Sequence, residues 1–501
     1  MKHDELFALL RRRGVLWPSA EIYGGAQGLY DYGPLGAALK RRLEESWSAW
    51  FLGLSPDYHR IEPAELLPEA VVRASGHLEN FTDPEVTCEA CHAAFRADSL
   101  LEKIRPEGVD GLSAAQIGEI LRAQQLRCPT CGSTALGVPR PFNLMFGMEF
   151  GPTGKERVYL QPETAQASYL AFARMWDVGR HRLPLGIAVI GKAYRNEIAP
   201  RQVLFRMRAF TQAELQIFFD PTAFPVPFDA VRTERLPVLR VPRRTEGEET
   251  PELVTAEELV RSGDLPAFYV YHLVQTLRFY RDVLGYPAER IRLFEKSATE
   301  RAFYNRIQFD VEVHLESLGG YKELGAVHYR GDYDLTRHSE GSGKDLSVHP
   351  TGRPPLRPHV LELTFGVDRN LWALADIHLG KDGERTVWRL PPYLAPVGVG
   401  VFPLIEAEHG AVAATLARDL AAAGVVAQYD DASSIGKRYA RMDEAGTPFC
   451  VTVDGDTVGE GTARGTVTLR ARDSRTQERL PSDGLAARLR PSFVPPRPAL
   501  G

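Results

Sequence analysis

Apolar residues recur at helical spacing early in the chain. In AALKRRLEESWSAWF, Leu39, Leu43, Trp47 and Trp50 fall on one stripe. Pro34, just ahead of that run, suits a helix entry. The glycine-rich stretch before it, Gly24 to Gly36, reads as a turn. Strand-like segments dominate the middle of the chain. GIAVIGKAYRNE (186–197) and LFRMRAFTQAELQIFF (204–219) are expected to pair as an antiparallel hairpin with a long tip. A helix over FYVYHLVQTLRFYRDVLG follows, ended by Gly285, then strands VEVHLESLGGYKELGAVHYR and HVLELTFG. VDRNLWALADIHL reads as a helix stopped by Gly380. The proline-rich RLPPYLAP (389–396) marks a boundary. Beyond it strands and helices alternate, which predicts a separate small α/β domain.

Two stretches break this pattern. Residues 84–139 carry two cysteine pairs around a polar segment with its own helix signal, SAAQIGEILRAQQ. Residues from about 221 to 265 are rich in Pro, Glu and Arg. Both read as insertions. The length of 501 residues, with 44% hydrophobic and 25% charged residues, allows two to four domains with a sizeable core. A formal net charge of −5 excludes a generally basic surface, so any nucleic-acid contact must use local patches. No apolar run resembles a secretory signal or reaches the roughly 18–20 residues of a membrane span. A cytoplasmic protein without membrane association is the expectation. No period of 20–50 residues is visible, which argues against solenoids and propellers.

Candidate chemistry lies first on the second hairpin strand. If Phe205 to Phe219 is a strand, Arg206, Arg208, Phe210, Gln212, Glu214 and Gln216 share one face. A solvated sheet face explains most of that row, but not the aromatic in its middle. A nucleotide site wants these groups: guanidinium for phosphate, an aromatic for the base, a carboxylate for an amine. Arg195 and Glu197 add a cation–acid pair on the preceding strand. In HVLELTFGVDRN, Glu362 and Thr364 share a face. Arg369 stands in the first helical turn, where the helix dipole disfavours a cation unless an anion is received there. An ordinary strand–helix junction is the alternative. In VYLQPETAQASYL, Glu163 is by itself only a good first-turn acid.

Cys88-x-x-Cys91 and Cys128-x-x-Cys131 form paired units suited to a tetrahedral four-cysteine Zn²⁺ site. Lying in an insertion away from the other motifs, such a zinc is expected to be structural. Cys450 sits in an apolar strand and reads as core. GSGK (341–344) lacks the upstream glycine spacing of a phosphate-binding loop.

YRNEIAPRQVLFRMRAFTQAE resembles motif 2 of the class II aminoacyl-tRNA synthetases, and ELTFGVDRN resembles their motif 3. GLYDYGPLG, RASGH, LQPETAQ and IGKRYARMDEAGTPFCVTVD extend the resemblance, in order along nearly the whole chain, to the homodimeric glycyl-tRNA synthetases. The resemblance implies an α+β fold, with an antiparallel catalytic sheet flanked by helices and a C-terminal α/β anticodon-binding domain. It divides the chain into catalytic residues 1–83 with motif 1, a zinc-binding insertion at 84–139, catalytic core at 140–220, an insertion at 221–290, core at 291–392 and the anticodon-binding domain at 393–501. It implies activation of glycine with ATP and Mg²⁺, transfer to tRNA(Gly), and a homodimer joined through Tyr30 to Phe51.

By matched position, Arg195 and Arg369 are catalytic. Arg195, Asn196, Glu197, Phe205, Arg206, Phe210, Glu323, Leu324, Gly366 and Arg369 hold ATP. Arg73, Glu163, Phe210, Glu214, Glu362, Thr364 and Gly366 hold glycine, and Arg438, Arg441 and Asp443 meet the anticodon. The chain departs from the usual Glu-Pro-Ser-Phe-Gly at Leu363 and Thr364, and carries Ala209 where an acid is common. The Thr364 methyl is expected to tighten the pocket against Cα substituents. Rival readings are another class II specificity and a catalytically silent nucleic-acid-binding paralogue. The latter should have lost Arg195, Arg206 and Arg369.

Overall fold

The computed structural model describes residues 1–101, 112–350, 354–459 and 461–499. Nine strands build the central sheet: β1 (Tyr58–Ile61), β2 (Leu185–Tyr194), β3 (Ala209–Phe219), β4 (Arg235–Leu239), β5 (Glu252–Thr255), β6 (Ile291–Glu295), β7 (Ile307–Leu315), β8 (Gly320–Gly331) and β9 (His359–Gly366). Their order is β5-β4-β6-β7-β8-β9-β3-β2-β1. Neighbours run antiparallel except β1 with β2 and β4 with β6. The expected hairpin is present, with Leu185 opposite Phe218 and Tyr194 opposite Ala209. Strand β3 starts later than its alternation suggested. Val203–Phe205 is a 3₁₀ turn, so Arg206 and Arg208 belong to the hairpin tip, not the strand. Arg195 and Glu197 likewise stand just beyond the end of β2.

One face of the sheet is dry. Ala213, Leu215 and Ile217 of β3 join Leu361, Leu363 and Phe365 of β9 in the main core. The helix Pro34–Phe51 covers that side, entered through Pro34 in its first turn. Its stripe of Leu39, Leu43, Trp47 and Trp50 is buried within the chain itself. Each such side chain contributes about 1.5–3 kcal/mol.

Residues 221–290, expected as an insertion, do not fold as a unit apart. β4 and β5 extend the central sheet, and Tyr269, Val270, Leu273 and Val274 of the helix Ala267–Arg278 lie in its main core. The polar composition there is spent on ion pairs, Arg240 to Glu295 at 2.8 Å and Arg278 to Glu234 at 2.6 Å. The cysteine-bearing segment does form a module. Strands Thr82–Thr87, Ala94–Arg96 and Arg140–Asn143 make a small sheet, and Val86, Ala97, Leu101, Ile117 and Leu121 make its core.

The C-terminal unit is a five-stranded mixed sheet with its own core around Val399, Val401, Val451 and Val467. Of Arg438, Arg441 and Asp443, expected to meet nucleic acid, Arg438 and Asp443 are buried, and the partly exposed Arg441 is paired within the domain. Arg438 donates to the carbonyls of Pro403, Asp431 and Ser433. Arg441 forks onto Asp430 at 2.7–2.9 Å. Asp443 is 1% exposed and binds Arg385 of the catalytic unit at 2.8 Å and Arg470 at 3.0 Å. The three hold the domain together and join it to its neighbour. Among the described residues, no helix is long and apolar enough to cross a membrane.

Candidate active site

The polar face of the sheet carries the site. Antiparallel register puts directly opposed residues on one face. Glu214 stands opposite Thr364, and Gln216 stands opposite Glu362, which on its other side faces His328. Glu163 arrives from the entry to the helix Ala165–Val178. The three carboxylates are 8%, 3% and 4% exposed for Glu163, Glu214 and Glu362. Each accepts from a buried glutamine amide: Gln166 to Glu163 at 2.9 Å, Gln212 to Glu214 at 2.9 Å, Gln216 to Glu362 at 2.7 Å. Thr164 does not cap its helix; its hydroxyl donates to Glu214 at 2.8 Å. Thr364 donates to Glu362 at 3.0 Å.

Two groups that sequence reasoning missed set the charge balance. Arg330 is fully buried, donates twice to Asp334 at 2.8 Å and once to Glu362 at 2.9 Å, and lies 3.9 Å above the Tyr304 ring. The register between β8 and β9 slips between Tyr329 and Gly331, so Arg330 is the extra residue of a β-bulge. Bulges re-aim side chains in this way. Gly331, with φ of +68°, supplies the left-handed turn, and glycine inside a strand pattern was the available signal. His77 places Nε2 3.6 Å from Glu163.

Burial acts to raise the pKa of both Glu163 and Glu214, but the outcomes diverge. For Glu163, His77 and Arg330 outweigh burial and hold the carboxyl well below the usual range. For Glu214, burial adds to repulsion from Glu362 and Glu163 and pushes it well above that range. Arg73 is not part of this cluster. Its side chain, on the short helix Glu69–Ala74, is 60% exposed and pairs with Glu69 and Glu79.

Next to the carboxylates lies a cavity lined by Arg195, Glu197, Phe205, Arg206, Phe210, Glu323, Leu324, Thr364, Gly366 and Arg369. Asn196 does not line it; its backbone N–H donates to Leu144 at 2.7 Å. The Arg195 guanidinium sits between two aromatic faces, 5.2 Å from Phe81 and 5.1 Å from Phe210, and donates to the Pro162 carbonyl at 3.1 Å. Arg369 reaches the Glu323 carbonyl at 3.1 Å and its carboxylate at 3.4 Å. Beside it Asp368 accepts from the Thr211 N–H and the Tyr32 hydroxyl, which ties the helix Val367–His378 to β3. Glu197 Oε2, Thr211 Oγ1 and Gln212 Oε1 are buried without a hydrogen-bond partner. Orphaned polar atoms around one cavity mark a place for a ligand rich in hydrogen-bonding groups. The long tip of the hairpin rests on the glycine turn. Arg208 donates to Gln27 O and takes up Gly28 O through its N–H, and a Cβ on Gly28 would strike Pro200 at 2.6 Å.

Across the cavity the cysteine module supplies Phe81, Asp83 and Arg96 to the wall. Contrary to the sequence expectation, then, the module is not remote from the motifs. Its four sulfurs lie within 4.8 Å of one another, with Cys88–Cys131 at 3.7 Å and Cys91–Cys128 at 3.6 Å. Tetrahedral Zn–S bonds of about 2.3 Å require sulfurs about 3.8 Å apart, so the set fits zinc. Both turns repeat one geometry. His92 N–H returns to Cys88 O and Gly132 N–H to Cys128 O, each at a residue with positive φ. Cys450 is buried core, its thiol pushed up to about 12 by burial.

Residues 148–231 match the family model described as "tRNA synthetase class II core domain (G, H, P, S and T)", and residues 395–491 match "Anticodon binding domain". The chain is 37% identical to glycine–tRNA ligase of Thermococcus gammatolerans, covering 98% of both chains. It is 37% identical to that of Pyrococcus furiosus over 98% of both, and 34% identical to that of Methanothermobacter thermautotrophicus over 98% of this chain and 99% of the relative. A solved prolyl-tRNA synthetase of Cryptosporidium parvum, complexed with L-proline and AMP, shares the fold with a TM-score of 0.55 at 14% identity, covering 97% of this chain and 74% of its own.

Proposed function

The chain belongs to the glycine–tRNA ligases of class II, and from that premise we propose how its own side chains do the work. It activates glycine with ATP and Mg²⁺ and then charges tRNA(Gly). A glycine carboxylate oxygen attacks the α-phosphorus, the bond to the bridging oxygen breaks and pyrophosphate leaves. The ribose hydroxyl at the tRNA 3′ end then attacks the carbonyl of glycyl-adenylate, and AMP leaves.

Arg195 grips the α-phosphate and neutralises charge that grows there in the transition state. Arg206 and Arg369 hold the outer phosphates from opposite sides, while Phe205, Phe210, Leu324 and Gly366 frame the base. The Glu197 oxygen that lacks a hydrogen-bond partner accepts from the adenine amino group. Mg²⁺ bound with the nucleotide would offset triphosphate charge, and Glu323, which lines the cavity, would be the carboxylate to hold it. The catalytic gain is positional and electrostatic.

Glu163, Glu214 and Glu362 receive the three N–H donors of the glycine ammonium, and the Thr364 methyl closes the space a larger side chain needs. Arg330 and the three glutamines are positioning residues that hold the carboxylates. We assign neither glycine contact to Arg73 nor anticodon contact to Arg438, Arg441 and Asp443. The four cysteines hold Zn²⁺. The enzyme works in the cytoplasm as a homodimer. Since the apolar stripe of Pro34–Phe51 is used within the chain, the dimer contact draws on neighbouring exposed apolar residues such as Ile22 and Tyr23.

The observation that carries the substrate reading is the gathering of three buried carboxylates, each held by its own glutamine, beside the nucleotide cavity. Glu163→Gln tests it in glycine-dependent ATP–pyrophosphate exchange. The expected result is a KM for glycine raised about tenfold or more, for a lost charge-assisted contact of about 1.5–3 kcal/mol, with the KM for ATP within about twofold. An unchanged glycine KM would sink the assignment.

A further inference from the structure

The loop joining β2 to β3 carries Arg195, Glu197, Arg201 and Arg206, and the cysteine module packs against it and shares a cavity wall with it. Arg201 donates to Ser99 of the module at 3.3 Å. Arg96 stands on the short strand that leaves Cys91, pairs with Asp83 at 2.6 Å and forks onto Asp98. Asp83 and Arg96 share the cavity wall with Glu197 and Arg206, which themselves lie 3.6 Å apart. Arg96 and Arg206 are therefore two partly buried guanidinium groups on one cavity, separated by two carboxylates. Burial and the nearby Arg96 both hold the Arg206 pKa below its usual value. Asp83 and Glu197 offset part of the repulsion between these cations, and an anionic ligand in the cavity would offset more.

We infer that the cysteine module is a working wall of the nucleotide site: Arg96, set by the metal-bearing turn five residues upstream, positions Arg206 through Asp83 and completes the phosphate-binding surface. Metal occupancy at Cys88, Cys91, Cys128 and Cys131 then tunes ATP affinity. This rests on the assignment of the cavity to ATP made above. The contacts explain why the module packs on this loop and not on open surface. They also give Asp83 a role in the wall, where together with Glu197 it offsets repulsion between Arg96 and Arg206.

The test compares Arg96→Ala, Arg96→Lys and Arg369→Ala in the full-length holoenzyme. ATP affinity is read by calorimetry and by the ATP KM in pyrophosphate exchange, glycine KM in parallel, and zinc content and Tm as controls for folding. Arg96→Ala should raise the ATP Kd and KM about tenfold, leave the glycine KM within about twofold, and keep zinc and Tm unchanged; Arg96→Lys should recover most of the loss. In the wild-type protein, stripping zinc with a chelator should raise the ATP Kd by a similar factor. Wild-type ATP affinity in Arg96→Ala, with Arg369→Ala impaired, would overturn the inference while leaving the cavity assignment intact. Wild-type ATP affinity in both variants would overturn the cavity assignment itself. Equal losses in Arg96→Ala and Arg96→Lys, with glycine KM moving in step, would reduce the module to scaffolding and also overturn the inference.

Discussion

Replacing Glu214 by Gln should weaken glycine binding while leaving the protein as stable as before, or more so. Glu214 is 3% exposed and stands among Glu163 and Glu362, with burial and both neighbours raising its pKa well above the usual carboxylate range. A carboxyl whose folded pKa exceeds its unfolded value binds more protons when folded. Its contribution is intact below the unfolded pKa and is lost as pH rises through the folded one. Each pH unit across that window removes about 1.4 kcal/mol. Glutamine keeps the shape and the two hydrogen-bond positions facing Thr164 and Gln212 but escapes this loss. Glu362→Gln is the contrast, because it takes an anion from the fully buried Arg330. Breaking a buried pair costs about 3–5 kcal/mol. Melting curves from pH 5 to 9, paired with glycine KM in exchange, separate the two. Glu214→Gln should match or exceed wild-type Tm, increasingly so toward high pH, with glycine KM raised; Glu362→Gln should melt several degrees lower. If Glu214→Gln loses as much stability as Glu362→Gln at every pH, the electrostatic reasoning fails.

Thr364→Ser keeps the hydroxyl bond to Glu362 and removes only a methyl, so alanine should gain about tenfold in kcat/KM relative to glycine; an unchanged ratio would show that another wall excludes alanine. Asp443→Asn weakens the buried link between Arg385 and Arg470 and should lower kcat/KM for tRNA charging about tenfold while leaving pyrophosphate exchange unchanged, measured in the two assays side by side. Removing zinc should open the 82–143 module to protease before the rest of the chain, because that module's core is small and its four thiols lose their common centre; equal protection with and without zinc would contradict a structural metal.

Alternation within β3 grouped Glu214 with Gln212 and Gln216, and alternation within β9 grouped Glu362 with Thr364, because strand period is local; that the two rows meet on one face comes from the register between distant strands. What closes the site was not legible. Arg330 is a lone cation in a strand, and only the bulge before Gly331 turns it onto Glu362. Gln212 and Gln216 stood in the polar row of β3, but Gln166 comes from a helix, and no spacing links the three to the carboxylates they hold. Composition did not reveal that 221–290 adds two strands to the central sheet, with its charges paired around them. It also misled at 438–443, where arginines suited to nucleic acid instead bond carbonyls and carboxylates inside the domain. The place of the cysteine module beside the nucleotide cavity is a long-range contact that no motif encodes.

The central claim is that three buried carboxylates and a close wall select glycine for ATP activation. ATP–pyrophosphate exchange with each of the twenty amino acids tested separately, in the presence of Mg²⁺ and zinc, addresses it directly. The account predicts exchange with glycine alone. Comparable exchange with alanine or any larger amino acid, or none with glycine, would contradict it.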